Sequence, residues 1–111
     1  MGKASRDKGK RGERELANAL KNLGYEARRG QQYSGTETSA DVLGLPGIHI
    51  ECKRVEQLRL YDALEQAEAD AGDSGDSPAV FHRRNKKPWV VVMRLDDWLE
   101  LYRKAENDGD N

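Results

Sequence analysis

Apolar residues recur along this chain in two different rhythms. Leu16, Ala17, Leu20 and Leu23 fall at i, i+1, i+4 and i+7, one face of a 3.6-residue period. That spacing predicts a helix from about Gly9 to Leu23, closed by Gly24 as a C-terminal cap. Tyr25 to Arg28 predicts a short strand, and the glycine-bearing polar composition of residues 30–39 predicts a loop. Asp41 to Leu45 and Ile48 to Lys53 then read as two strands around Pro46-Gly47. The second strand alternates, with Ile48, Ile50 and Cys52 directed into a core and His49, Glu51 and Lys53 directed the other way. Leu60, Leu64, Ala67 and Ala71, with Tyr61 beside them, restore the helical period over Leu58 to Ala71. Ala79 to Arg83 and Trp89 to Arg94 predict strands joined by the basic loop Arg84 to Pro88. Leu95 to Ala105 predicts a closing helix with Asp96 as N-cap and Trp98, Leu99, Leu101 and Tyr102 as core contacts. The order is helix, three strands, helix, two strands, helix, which implies an α/β or α+β sheet of about five strands flanked by helices.

The register around Pro46-Gly47 decides which residues meet. Opposed residues on paired strands share a face. A two-residue loop would set Asp41 opposite Cys52, on the core face. An odd loop, or a bulge with the same effect, would set Asp41 on the face of Glu51 and Lys53. Pro-Gly suits a type II turn, whose twist fits a two-residue hairpin poorly, so the odd register is expected.

With 111 residues the chain is long enough for one domain. The pattern divides it into a flexible basic arm over 1–8, a single domain over 9–105 and a disordered tail over 106–111. No apolar run approaches the roughly 20 residues of a membrane span, and no signal segment opens the chain, so a cytoplasmic location is expected. Cys52 is the single cysteine, which rules out an internal disulfide or a zinc site built on paired cysteines. The net charge of −1 conceals segregation. Residues 1–34 carry nine Lys/Arg against four Asp/Glu (+5), residues 56–76 carry one against seven (−6), and residues 77–93 carry four and none (+4). The basic stretches suit phosphates, and the acidic stretch is read as a solvated face.

Asp41 and Glu51 offer the two carboxylates that Mg²⁺ needs when it keeps several waters, and the Cys52 carbonyl is a plausible further oxygen. A cation there would polarise a phosphodiester and acidify a bound water. Lys53, two residues along the strand from Glu51, would orient that water or neutralise developing charge. Glu13 could join from the first helix. A Glu-x-Lys pair by itself is ordinarily an exposed ion pair, and it is the combination with Asp41 and Glu13 that points to catalysis. His49 shares the face of Glu51 and is expected to pack rather than to act. Arg28 and Arg29 are either phosphate grips or strand-end charges. Arg83, Arg84, Lys86 and Lys87 suit contact with a DNA backbone, or protection of a sheet edge.

Taken in order, Lys8-Gly9-Lys10-Arg11-Gly12-Glu13-Arg14, Ser34-Gly35, Asp41-Val42-Leu43, Glu51-Cys52-Lys53 and Glu65-Gln66-Ala67 resemble the motifs of the PD-(D/E)xK nucleases. Within that superfamily they are similar to the archaeal-type Holliday junction resolvases and their phage and bacterial relatives. The resemblance covers about residues 8–103. It implies a restriction-endonuclease-like fold with a central mixed sheet. It also implies Mg²⁺-dependent cleavage of DNA, with Mn²⁺ able to substitute, and a place in DNA recombination and repair. Asp41 and Glu51 become metal ligands, Lys53 the catalytic lysine and Glu13 the helix carboxylate, with Glu15 as its competitor. Lys8, Lys10, Arg11 and Arg14 would belong to the basic DNA-binding surface, and Ser34 to the serine-glycine loop. Resolution of a four-way junction further implies a homodimer. Two other readings remain: a nuclease of the same fold acting on linear, flapped or nicked DNA, and a DNA-binding or assembly protein without activity.

Overall fold

The computed structural model describes residues 2–30 and 40–109. Its elements are α1 (Gly2–Asn22), β1 (Arg28–Arg29), β2 (Val42–Leu43), β3 (Ile48–Arg54), α2 (Leu60–Ala71), β4 (Ser77–Arg83), β5 (Val90–Val92) and α3 (Leu95–Gly109). The strands form one mixed sheet in the order β1-β2-β3-β4-β5. β3 and β4 run parallel, and the other neighbours are antiparallel. A parallel pair needs a crossover, and α2 supplies it.

Helix α1 begins well before Gly9. Lys3, Ala4, Arg6 and Lys8 are good helix formers and no proline interrupts them, so the helix extends through the segment expected to be a free arm. At its other end the Gly24 N–H donates to the Lys21 carbonyl at 2.9 Å and the Tyr25 N–H to the Leu20 carbonyl at 3.1 Å. With Gly24 at φ +101°, this is the Schellman cap that the glycine predicts.

The two faces of the sheet bury different sets of side chains. Leu16, Ala17 and Leu20 of α1 pack with Ala27, Val42, Ile50, Ala79 and Phe81, with Ile48 and Cys52 against them. Ala63, Leu64 and Ala67 of α2 pack with Val80 on the other face. Fully burying a Leu or Ile side chain contributes about 1.5–3 kcal/mol, so Leu16 and Ile50 anchor the first layer. Gly12 lets α1 lie close to β3, because a Cβ there would stand 2.6 Å from Arg54 Cβ.

Several expectations change. Leu23 is exposed, since the core face of α1 ends at Leu20 and the chain turns at Gly24. Leu60 and Tyr61 are exposed as well, because α2 turns Ala63, Leu64 and Ala67 toward the sheet. The largest departure is α3. It continues past Ala105 to Gly109, and Asp96 lies inside its first turn rather than at the cap. Trp98 and Tyr102 are not core residues. They stack on each other with centroids 5.4 Å apart, and each is 49 % exposed.

Candidate active site

The loop between β2 and β3 sets the register of the site. The Ile48 N–H donates to the Leu45 carbonyl at 3.1 Å across Pro46-Gly47, with Gly47 at φ +89°, as a type II turn requires. Two residues separate Leu45 from Val42, and only one separates Ile48 from Ile50. Yet Val42 pairs with Ile50. The β2 side therefore carries one extra residue, and Gly44, at φ +131° against the backbone of Ala27, takes up the bulge. Val42 and Ile50 both enter the α1 core. Asp41 and Glu51, each one position away, turn from it. The Asp41 N–H is held by the Ile50 carbonyl at 2.9 Å, and Asp41 Oδ2 accepts the Cys52 N–H at 2.8 Å.

Charge from three elements converges on Asp41. Burial pushes its carboxyl up to about 6; the Cys52 N–H opposes that rise, Glu13 on α1 adds to it, Lys53 on β3 opposes it, and Asp70 on α2 adds to it. Glu51 is pushed higher, to about 8, first by burial and then by Asp41 and Asp70, with Lys53 again opposing. Two carboxyls that resist ionising side by side suit a dication, which would favour both charged forms. Lys53 lines a cleft of about 330 Å³ together with Val55, Gln57, Leu58, Arg59, Asp62, Ala63 and Gln66. Burial pushes the Cys52 thiol up to about 12, so this side chain packs as an apolar group rather than acting as a nucleophile.

Glu13 and Glu15 have different neighbours. Glu15 is held by two guanidiniums, that of Arg54 at 3.1 Å and that of Arg83. Glu13 takes the Arg29 guanidinium at 3.0 Å and is the helix carboxylate that acts electrostatically on Asp41. Arg29 and Arg83 are thus engaged by carboxylates within the fold. Lys8, Lys10, Arg11, Arg14, Arg28, Arg84, Lys86 and Lys87 are exposed. The loop bearing Arg84, Lys86 and Lys87 is pinned at Asn85, whose N–H donates to Glu56 and whose side chain accepts from Arg54. Ser34 lies outside the described residues.

Asp70 is the functional candidate that a charge count misses, because the count places residues 56–76 on a solvated face. Ala63, Ala67 and Asp70 follow at i, i+4 and i+7, so Asp70 shares the stripe of α2 that faces the sheet; that spacing is the signal the sequence offers. Its carboxylate lies with His49 and Glu51 in a group whose potential ligand atoms are all within 4.8 Å of one another. His49 is buried, and that burial holds its imidazole below the usual histidine range.

Residues 4–111 match the profile of a family described as "Phage putative PDDEXK endonuclease". The chain belongs to this endonuclease family. It is accordingly a nuclease, a hydrolase of phosphodiester bonds. No curated protein matches the sequence. Among solved structures it is similar to Hjc of Archaeoglobus fulgidus, a Holliday junction resolvase from an archaeal hyperthermophile. The two share 26 % identity over 78 % of this chain and 72 % of that one, with a TM-score of 0.58. The five-stranded mixed sheet flanked by helices is thus a PD-(D/E)xK, restriction-endonuclease-like fold. Among the described residues no helix is long and apolar enough to cross a membrane.

Proposed function

We propose that this endonuclease is a divalent-cation-dependent DNase that cuts branched DNA, with the four-way junction as its preferred substrate. One observation carries the reading: the bulged hairpin sets Asp41 beside Glu51 and Lys53, with Glu13 near enough to act on Asp41. Asp41 and Glu51 would hold the cation, with the Cys52 carbonyl as a further oxygen. Mg²⁺, or Mn²⁺ in its place, would supply Lewis acidity toward the phosphate and acidify a bound water. The Cys52 N–H fixes the Asp41 carboxylate, so the ligand is oriented before any ion arrives. Lys53 lines the cleft, and its ammonium would neutralise charge that develops on the phosphate. Glu13, steadied by Arg29, would orient water or ligands from the α1 side.

The likeness to a junction resolvase supports branched DNA as the substrate. Lys8, Lys10, Arg11 and Arg14 on α1 and Arg84, Lys86 and Lys87 at the β4–β5 loop would contact phosphates, which gives recognition by backbone and shape rather than by base. Symmetric cuts on two strands call for a two-fold homodimer. The apolar residues that α3 leaves exposed, Leu95, Trp98, Leu101 and Tyr102, supply a surface suited to one.

A panel of end-labelled four-way junctions, flaps, nicked duplexes and plain duplexes, incubated with the protein and Mg²⁺, tests this reading. Paired cuts near the branch point, faster than any cut in plain duplex, are expected. Equal cutting of plain duplex would remove the junction preference. Binding without cleavage in either Mg²⁺ or Mn²⁺ would leave a DNA-binding protein.

A further inference from the structure

The α2 face of β3 carries a second set of potential ligands, apart from Asp41. His49 and Glu51 are each only 5 % exposed, and among the described residues His49 Nε2 and Glu51 Oε1 are buried without a hydrogen-bond partner. These two atoms lie 3.7 Å apart. Asp70 reaches the same spot from α2, so that one nitrogen and two carboxylate oxygens fall within 4.8 Å of one another. Asp70 also accepts the Gln66 side-chain N–H at 3.0 Å, a contact that orients its carboxylate from the helix. Orphaned buried polar atoms are costly, and when they converge they call for a ligand.

We infer that His49, Glu51 and Asp70 form an inner cation site, distinct from the Asp41 site, for a divalent transition-metal ion such as Mn²⁺. A histidine nitrogen among the donors favours Mn²⁺, Co²⁺ or Zn²⁺ over Mg²⁺, which prefers oxygen alone. Glu51 is the shared element. Its Oε1 faces His49 at 3.7 Å, and the same carboxylate is electrostatically coupled to Asp41, so Glu51 would contribute to both sites. The inner ion would also satisfy the imidazole nitrogen that the fold leaves unpaired.

The test uses the full, tag-free chain with Mn²⁺ alone. The only other histidine is His82, whose Nε2 lies 2.9 Å from the Val55 carbonyl, so an imidazole signal reports on His49. Pulsed EPR of the Mn²⁺-saturated protein should show a directly coordinated ¹⁴N. The coupling should persist in Asp41→Asn and vanish in His49→Gln. Asp70→Asn should weaken this one Mn²⁺ site at least tenfold in a calorimetric titration, which gives a readout even if His49→Gln fails to fold. Absence of ¹⁴N coupling in wild type, its persistence in folded His49→Gln, or unchanged affinity in Asp70→Asn would overturn the inference. Persistence of the coupling alongside an inert cleavage assay would leave the inner site standing while the junction-nuclease reading falls.

Discussion

Replacing Glu51 by glutamine should stabilise the metal-free protein, and the gain should grow with pH. Glu51 is 5 % exposed, and its carboxyl is pushed from an ordinary 4.5 up to about 8 by burial, by Asp41 and by Asp70. Between those two values the folded protein keeps the proton and the unfolded chain releases it. Raising the pH therefore favours unfolding across this window, and the effect levels off above about 8. At about 1.4 kcal/mol per tenfold, the gap amounts to roughly 5 kcal/mol above the window and roughly 3 kcal/mol at pH 7. Asp41 and Glu51 interact, so the protons leave in steps that belong to the pair, and the single substitution captures part of that total. Glutamine keeps the shape and does not titrate. Urea unfolding in EDTA at about pH 5, 7 and 8.5 reads the effect. The two proteins should differ little at the lowest pH, and the variant should be more stable by about 2–3 kcal/mol at the highest. A difference that stays constant with pH would refute the claim that Glu51 is held protonated by its surroundings.

Other perturbations probe separate parts of the structure. Gly12→Ala should cost about 1–3 kcal/mol in urea unfolding, because the new methyl meets Arg54 Cβ at 2.6 Å and the gain in helix propensity does not offset the clash. No change in stability would show that α1 and β3 are not in close contact there. Lys86→Ala with Lys87→Ala should weaken binding to junction and duplex alike and flatten the dependence of log K on log salt by about 1 per lysine. An unchanged slope would exclude the β4–β5 loop from the DNA surface. Trp98→Asp should shift the mass measured by light scattering from dimer to monomer while circular dichroism stays unchanged, since Trp98 is half exposed and supports no core. A wild-type monomer at all concentrations would remove the homodimer.

The register that sets Asp41 with Glu51 is legible in the sequence because backbone chemistry fixes it. Pro46-Gly47 demands a type II turn, and a type II turn in a hairpin calls for compensation, which Gly44 supplies as a bulge. That single extra residue puts Asp41 with Glu51 instead of with Cys52. The α1 face is legible for the same kind of reason: Leu16, Ala17 and Leu20 repeat at helical spacing and have a sheet to cover. The α3 face has the same spacing, yet Leu95, Trp98, Leu101 and Tyr102 on it are exposed. Periodicity shows that a face will be covered, without showing by what, and Trp98 and Tyr102 read as core for that reason. Asp70 escapes because charge counting merges it with Asp62, Glu65 and Glu68, although its helical position matches that of Ala63 and Ala67. The choice between Glu13 and Glu15 needs three-dimensional neighbours. Only the fold shows that Arg54 and Arg83 take Glu15, while Glu13 stays within electrostatic reach of Asp41.

Single-turnover cleavage of a labelled four-way junction, started with Mg²⁺ and compared among wild type, Asp41→Asn and Lys53→Met, tests the catalytic assignment most directly. Both variants should bind the junction and cut it at least about 100-fold more slowly than wild type, the usual scale for removing a group that stabilises developing charge. Equal rates for wild type and either variant would contradict the catalytic role of the substituted residue.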